Sequence, residues 1–461
     1  MNFNWHQGVQ RVSERSARAG RAAKWLSPGM GVKRYLTALV LSLFILINGF
    51  VYYTWTGPLN TWTLHWIIWL NRLTRLGRLP AGSLGGAIAL LALASSLWSI
   101  WMLSRSLLKS TGVAPNQAAD RIYSNRALAR GPRWVALGGG TGLSNLLSGL
   151  KEYSSNITAV VAVTDDGGSS GRLRRDLDMI APGDLTDCYA ALSDTPALAE
   201  LLLHRFSRGE GLAGHTFGNL MLATLSEQRG DLREAVEDVN EILNVRGQVL
   251  PATTQSAVLV AELEDGSEVR GESQLHLQRG DRRVRRIRLD PADVPAPPAV
   301  TEAIARADAI LIGPGSLLTS LIPAILVPGI REAIQQTAAP LIYVANIMSE
   351  AGETDGLGLE EHHQLLAAHL GRSADVILVN KAPLREEVLA RYREEGASPL
   401  QVPKQPGPPY RLADLVTGRS GQHDPALLAK ELWLLLKRRE PGRVANPEGA
   451  FAPSASAQVR R

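Results

Sequence analysis

Between Tyr35 and Asn71 the chain carries no Asp, Glu, Lys or Arg. Its apolar part, Tyr35 to about Trp55, is long enough for one helix to cross a bilayer core of roughly 30 Å. A second uncharged stretch runs from Leu79 to Ser104 and is most apolar from Ile88 to Leu103. Uncharged runs of this length with basic flanks fit membrane spans better than buried helices of a globular core. A cleaved signal peptide is not expected, because the basic segment before the first run is long and no small-x-small site follows it.

The charge is divided in the same way. Lys and Arg number 49 and Asp and Glu 44, a net of +5. Residues 1–133 hold sixteen of the basic residues and only two acids, Glu14 and Asp120, so the remainder is net acidic by nine charges. Eight of the ten Trp also lie in the first 110 residues. A single soluble domain does not divide charge and aromatics like this. Basic residues cluster before the first span (Arg11 to Arg34) and after the second (Arg105 to Arg133), with only Arg72, Arg75 and Arg78 between. Both ends are therefore expected on the cytoplasmic side of a two-helix transmembrane hairpin, beside anionic lipid. That placement assigns the basic charge to lipid, and no nucleic acid is expected as a partner. Trp62, Trp66, Trp69 and Leu73 recur at helical spacing, which suits either an interfacial helix or a connecting helix packed on the spans.

The expected organisation is a basic N-terminal segment (1–34), the hairpin with its interfacial helix (35–109), a linker (110–132), a nucleotide-binding domain (133–437) and a disordered tail (438–461). The hydrophobic fraction of 45% excludes a mostly disordered chain, and the single cysteine, Cys188, excludes a disulfide framework. After the linker, short apolar runs alternate with helical patterns. Strands are expected at Trp134–Leu137, Ile157–Val163, Ala309–Ile312, Leu341–Ala345 and Val376–Val379. This is the pattern of an α/β, Rossmann-like doubly wound, mostly parallel sheet that binds ligands at its carboxyl edge. Residues 256–290 alternate instead around an Asp265-Gly266 turn and suggest an antiparallel β insertion.

The sharpest motif is Trp134-Val-Ala-Leu-Gly138-Gly139-Gly140-Thr141-Gly142-Leu143, a strand running through glycines into a helix. Glycines let backbone approach a phosphate, and a helix N-terminus offers free N–H groups and the positive end of a dipole. It is neither a Walker A loop nor the Gly-x-Gly-x-x-Gly fingerprint. The second strand ends in Thr164-Asp165-Asp166-Gly167-Gly168-Ser169-Ser170-Gly171-Arg172. Its paired carboxylates suit Mg²⁺ or a ribose hydroxyl and Arg172 suits a phosphate, although Asp-Gly pairs also make plain solvated turns. Asp184, in Pro182-Gly183-Asp184, is a further metal candidate. His215 and Asn219, in Gly214-His-Thr-Phe-Gly-Asn219, read by themselves more as cap or packing residues. Gly313-Pro314-Gly315-Ser316 repeats the phosphate-loop pattern after a later strand. Asn346 and Met348, followed by Glu350, sit past the next one, where an Asn amide suits either a base edge or a helix cap. His362 and His363, beside Glu360 and Glu361, read as solvent-facing.

Taken together, these motifs resemble the gluconeogenesis factor family, which is similar to the 2-phospho-L-lactate transferases of flavin-coenzyme synthesis. The resemblance extends through Val249-Leu-Pro-Ala-Thr-Thr254, Arg270-Gly-Glu272 and Gly352-Glu-Thr-Asp-Gly356, and covers about Arg133 to Pro403. It implies a nucleotide in the cleft at the strand ends. In the transferase branch that is a guanine nucleotide with Mg²⁺ and a flavin acceptor. In the gluconeogenesis-factor branch it is a uridine nucleotide sugar such as UDP-N-acetylglucosamine, with a role in carbon metabolism, cell shape and envelope synthesis. The sequence departs from the branch pattern at Thr186-Asp187, where Arg-Asn is usual, and at Leu318, where Tyr is common. The partners expected are thus a nucleotide sugar, an anionic lipid membrane and a second copy of the chain in a homo-oligomer. No catalytic residue is assigned, and Mg²⁺ is the cofactor to test.

Overall fold

The computed structural model describes residues 124–439, apart from 281, 404–406 and 419, together with isolated positions between 43 and 101. The expected spans, the basic segment before them and the tail beyond residue 439 lie outside the described residues, save those isolated positions. Among the described residues no single helix is long and apolar enough to cross a membrane. Leu64, His65, Trp66, Ile68 and Trp69 are helical and exposed, and the Trp66 and Trp69 rings meet edge to face at 5.4 Å, whereas Trp62 and Leu73 of the expected stripe lie outside the described residues. The chain divides into two units, and the unit from Leu128 to Pro447 carries the sheet.

That sheet has seven strands in the order β10-β9-β8-β7-β1-β2-β3. They are β1 (Trp134–Gly138), β2 (Ile157–Val161), β3 (Gln248–Pro251), β7 (Ala309–Ile312), β8 (Leu341–Val344), β9 (Val376–Asn380) and β10 (Tyr410–Ala413). Every pair is parallel. The five expected strands are present within two residues at each end. The edge strands β3 and β10 carry no such apolar run: Gln248 opens one, Arg411 sits in the other, and both flank the core. Continuous apolar strands such as Ala309-Ile-Leu-Ile312 are buried on both faces because helices cover both sides of a parallel sheet.

The connecting helices are α1 (Gly140–Leu150), α2 (Gly168–Leu177), α3 (Gly183–Leu192), α4 (Pro196–Leu203), α5 (Phe217–Arg229) and α6 (Leu232–Leu243) on the β1–β3 side. After β3 comes the insertion, a three-stranded antiparallel sheet in the order β5-β4-β6. Its strands are β4 (Val258–Leu263), β5 (Glu268–Arg270) and β6 (Val284–Asp290), with the short helix α7 (Glu272–Gln278) between β5 and β6. The Asp265-Gly266 turn joins β4 to β5, where Asp265 accepts the Ser267 N–H at 2.9 Å and Gly266 takes φ +81°. α8 (Pro298–Arg306) leads into β7. A π-helical turn (Leu317–Leu321), α9 (Ile322–Leu326) and α10 (Pro328–Gln336) follow it. The remaining helices are α11 (Leu359–Leu370), α12 (Glu386–Glu394) and α13 (Pro425–Arg439).

One side-chain expectation is corrected. His362 is fully buried, and the amide of Ala374 donates to Nε2 of His363 at 3.3 Å, so neither ring simply faces solvent. Leu359, His362, Leu366 and Leu370 share the inner stripe of α11. Helical phase, not the charge of the neighbouring Glu360 and Glu361, decides which way a side chain points.

Candidate functional site

The sheet order reverses between β1 and β7: the chain runs outward from β1 to β3, then returns to β7 on β1's other side. Such a switch point opens a crevice at the carboxyl ends of the two strands. Leu137 is level with Ile312, so the two glycine loops leave the sheet side by side. A β-carbon on Gly142 would lie 2.4 Å from the Pro314 carbonyl oxygen, and one on Gly315 would lie 3.3 Å from that of Gly139. The loops therefore touch backbone to backbone, with no room for side chains. Gly140 (φ +61°) and Gly313 (φ +82°) also adopt backbone angles that L-residues avoid. Gly140 has open space beside it and begins α1, whose first turn carries no acid to compete with an anion.

A cavity of about 300 Å³ lies against these loops. Thr141, Ser316, Asn346 and Met348 contribute to its wall, together with Tyr392, Gln422 and His423 from segments that the sequence reading passed over. Asn346 neither caps a helix nor stays free for a base. Its Oδ1 accepts the Gly315 N–H at 3.2 Å and its Nδ2 donates to the Gly315 carbonyl at 2.9 Å, clamping the second loop. His423 is buried with Nε2 unpartnered, and burial lowers its pKa to about 4, so the ring is neutral at pH 7. Leu143 turns away from the cavity into the core. Gly138 closes β1, and a β-carbon there would press on Leu321 at 3.0 Å.

The adjacent carboxylates of the loop that follows β2 part company. Asp165 accepts the Gly167 N–H at 2.8 Å, and its other oxygen lies 3.9 Å from where a Gly183 β-carbon would be, so it faces the start of α3. Asp184, the next residue, presses on the first glycine loop: a β-carbon on Gly139 would sit 2.3 Å from its Oδ2. Burial, then Asp165 and Asp187, raise the Asp184 pKa to about 7. Asp166 instead accepts the Ser273 N–H at 2.8 Å and abuts Gly271 of the insertion. Arg174, not singled out from the sequence, holds the loop from below, donating to the Thr164 carbonyl at 2.8 Å and the Ala257 carbonyl at 2.8 Å. Arg172 is engaged by the Ala213 carbonyl at 2.9 Å, and Gly168 (φ +47°) leaves open space at the start of α2.

His215 and Asn219 converge on Ser169. Asn219 Nδ2 donates to Ser169 Oγ at 3.0 Å, and Oγ lies 2.8 Å from His215 Nδ1. Ser169 Oγ has one proton and two lone pairs, so beside the Asn219 bond it can either donate to Nδ1 or accept a second bond from it, according to the His215 tautomer. Thr216, not its neighbours, caps α5 by accepting the Asn219 N–H at 3.3 Å.

Two further carboxyls complete the site; both lie in stretches that carry the family resemblance, Arg270-Gly-Glu272 and Gly352-Glu-Thr-Asp-Gly356, but the sequence reading gives neither a place in the site. Glu353 is buried, accepts the Thr319 hydroxyl at 2.8 Å, and has a pKa pushed to about 8 by burial and then by Glu350. Glu272 opens α7. Burial, followed by Asp165, Glu353 and Asp184, lifts its pKa to about 9. The insertion thus brings an acid to a site whose other parts lie on the parallel sheet, a long-range contact that no spacing rule reads. Among the described residues no three His, Cys, Asp or Glu side chains come together as a metal cage. Asp165 and Asp184 do face one another's neighbourhood, and Mg²⁺ is commonly held by one or two carboxylates plus substrate phosphates, so the donor set fits an ion that arrives with a nucleotide.

Known proteins resemble this chain over the same residues. Residues 134–409 match the 2-phospho-L-lactate transferase CofD family. A Halalkalibacterium halodurans protein named gluconeogenesis factor is 47% identical over 270 residues, 58% of this chain and 83% of that protein. The Deinococcus radiodurans relative, which bears the same name provisionally, is 52% identical over 421 residues, 91% of this chain and 90% of its own length. A crystal structure from Bacillus halodurans superposes with a TM-score of 0.62 at 42% identity, covering 66% of this chain and 99% of that one.

Proposed function

The chain belongs to the gluconeogenesis factor family and carries a CofD-type domain, and from that premise we propose that it is a membrane-anchored protein that binds a uridine nucleotide sugar of the UDP-N-acetylglucosamine type, and through it regulates carbon metabolism, cell shape and envelope synthesis. The observation that carries this reading is the meeting of two glycine loops on adjacent strands, with α1 aimed at the space beside them. Such a pair of loops suits a diphosphate. Tyr392, Gln422 and His423 then offer a ring face, an amide and a neutral imidazole to the rest of the ligand. Calorimetry of the purified protein with UDP-N-acetylglucosamine and with GDP tests it: uridine-sugar binding is expected, and binding of guanine nucleotides alone would overturn it.

The second reading is a Mg²⁺-dependent phosphoryl-type transferase. It is favoured by the carboxyls of Asp165 and Asp184 beside the first glycine loop. A bound cation would there draw the proton from Asp184 and offset charge on a phosphate. Release of GMP from a donor in the presence of a flavin acceptor would establish it.

The membrane anchor rests on the uncharged runs and their basic flanks. The Deinococcus alignment is longer than the α/β domain, so similarity extends into the flanks, whereas the Halalkalibacterium alignment is shorter than the domain. The residues read here as an anchor thus align with some relatives.

A further inference from the structure

The phosphate candidates of the sequence divide in space. Gly139, Gly140, Gly142 and Gly315 line the cavity beside the two glycine loops, whereas Gly168, Ser169, Arg172 and His215 do not. The start of α3 intervenes. A β-carbon on Gly183 would lie 2.6 Å from Ser170 Oγ of α2, while Asp184 presses on Gly139 of the first loop. The start of α2 is therefore a separate place from the start of α1.

That place is prepared for an anion. The Gly171 N–H donates to the Gly167 carbonyl at 2.7 Å, so the earlier amides of Gly168, Ser169 and Ser170 have no acceptor within the helix. No side chain caps α2 at Gly167, and its first turn holds no acid. Gly168 is exposed, with open space beside it. The Arg172 guanidinium lies over Gly214, where a β-carbon would be 2.9 Å from Nη2. Only Nη2 is engaged, by the Ala213 carbonyl at 2.9 Å, and the enclosed Nε has no acceptor. Arg205 donates from Nη1 to the Gly214 carbonyl at 2.6 Å. Among the described residues neither arginine has an ion pair. The carboxylates of the adjoining loop are turned to other donors, Asp165 to the Gly167 N–H and Asp166 to the Ser273 N–H.

His215 is the independent sign of a ligand. Its side chain is only 6% exposed, and Nδ1 lies 2.8 Å from Ser169 Oγ in the first turn of α2. Nε2 has no partner among the described residues. Burial and then Arg172 hold the His215 pKa down, and Arg205 adds to this against Asp176, so both guanidinium groups act on the ring. An anion here would select the tautomer with its proton on Nε2, leaving Nδ1 to accept from Ser169. Helix amides, a guanidinium fork and an imidazole N–H together suit the several oxygens of a phosphate.

We propose that the start of α2 is a second anion site, which takes the phosphate group of a small soluble ligand separate from the diphosphate at α1, with Arg172 as its principal charge. Nothing in this assignment depends on which nucleotide the cavity takes.

The test is calorimetric titration of the full-length protein, held in a neutral detergent without nucleotide, with inorganic phosphate and with acetate. Phosphate is expected to bind saturably, and acetate, with less charge and fewer oxygens, at least about tenfold more weakly. Arg172→Gln is expected to weaken phosphate by about tenfold or more, while Arg172→Lys, which keeps the charge, should recover most of that loss. Arg205→Gln, at an exposed position, should weaken phosphate severalfold and carries the test should Arg172→Gln fail to fold. Absence of saturable phosphate binding, equal binding of acetate, or undiminished binding by Arg172→Gln or by Arg205→Gln would each overturn the proposal. Loss of uridine-sugar binding alone would leave it standing.

Discussion

The Asp166 carboxylate accepts the backbone N–H of Ser273 at 2.8 Å, across 107 positions of sequence. This bond ties the Asp165-Asp166-Gly167-Gly168 loop after β2 to the first turn of α7 and so fastens the insertion to the parallel sheet. It also separates Asp166 from Asp165, which faces the start of α3. Neighbouring acids in a motif thereby acquire different work.

Asp166→Ala is expected to cost about 1–2 kcal/mol of stability, the usual loss of a charged hydrogen bond at a helix start. Chemical denaturation of the purified protein measures it. A variant as stable as the parent would show that the insertion is held by other contacts.

Gly142→Ala places a methyl 2.4 Å from the Pro314 carbonyl oxygen, so the two glycine loops must separate. Nucleotide affinity should fall by about tenfold or more, because the backbone groups facing the ligand lose their spacing. Circular dichroism checks that the fold is kept, and calorimetry reads the affinity. Unchanged binding would place the nucleotide elsewhere.

Asp184 has its pKa raised from 3.8 to about 7, so the folded protein holds a proton there that the unfolded chain releases. Stability from this group is full below pH 3.8, falls as pH rises towards 7 and is lost above it. The shift sets an upper bound of about 4 kcal/mol. Glu272 and Glu353 add to the same downward trend up to about pH 9 and about pH 8. Asp184→Asn should therefore flatten, without abolishing, the decline of melting temperature between pH 4 and 7. With nucleotide present, Mg²⁺ should raise the melting temperature of the parent at pH 8 but not that of Asp184→Asn.

His362 behaves in the opposite sense. Burial lowers its pKa from 6.5 to about 4, and neither ring nitrogen has a partner. The neutral ring contributes stability above pH 6.5, and this is lost as pH falls from 6.5 to 4. His362→Leu should stabilise the protein by about 1–3 kcal/mol at pH 7 by removing unsatisfied polar atoms. It should also reduce the loss of stability at pH 5. Part of that loss will remain, because His423 titrates in the same window.

Deleting residues 35–109 should move the protein from the membrane fraction to the soluble fraction after centrifugation of broken cells. Retention in the membrane fraction would remove the two-span reading.

The sequence by itself determined the parallel sheet's inner strands, the antiparallel insertion and the glycine loops. Each is written in short-range signals: an unbroken apolar run, an alternation about Asp265-Gly266, or glycines where a strand passes into a helix. Edge strands β3 and β10 escaped because Gln248 and Arg411 interrupt the apolar signal that two-sided burial imposes on the central strands. The site was half legible. Its loops could be named, but only the tertiary structure decided that Asn346 clamps Gly315, that Ser169 joins His215 and Asn219, and that Glu272 and Glu353 stand with Asp165 and Asp184. Those relationships depend on which strand lies beside which, and on burial that shifts a carboxyl's proton affinity. Neither is a property of neighbours in the chain. Helix phase gave the same lesson at His362, where the inner stripe of α11 outweighed the charges next to it.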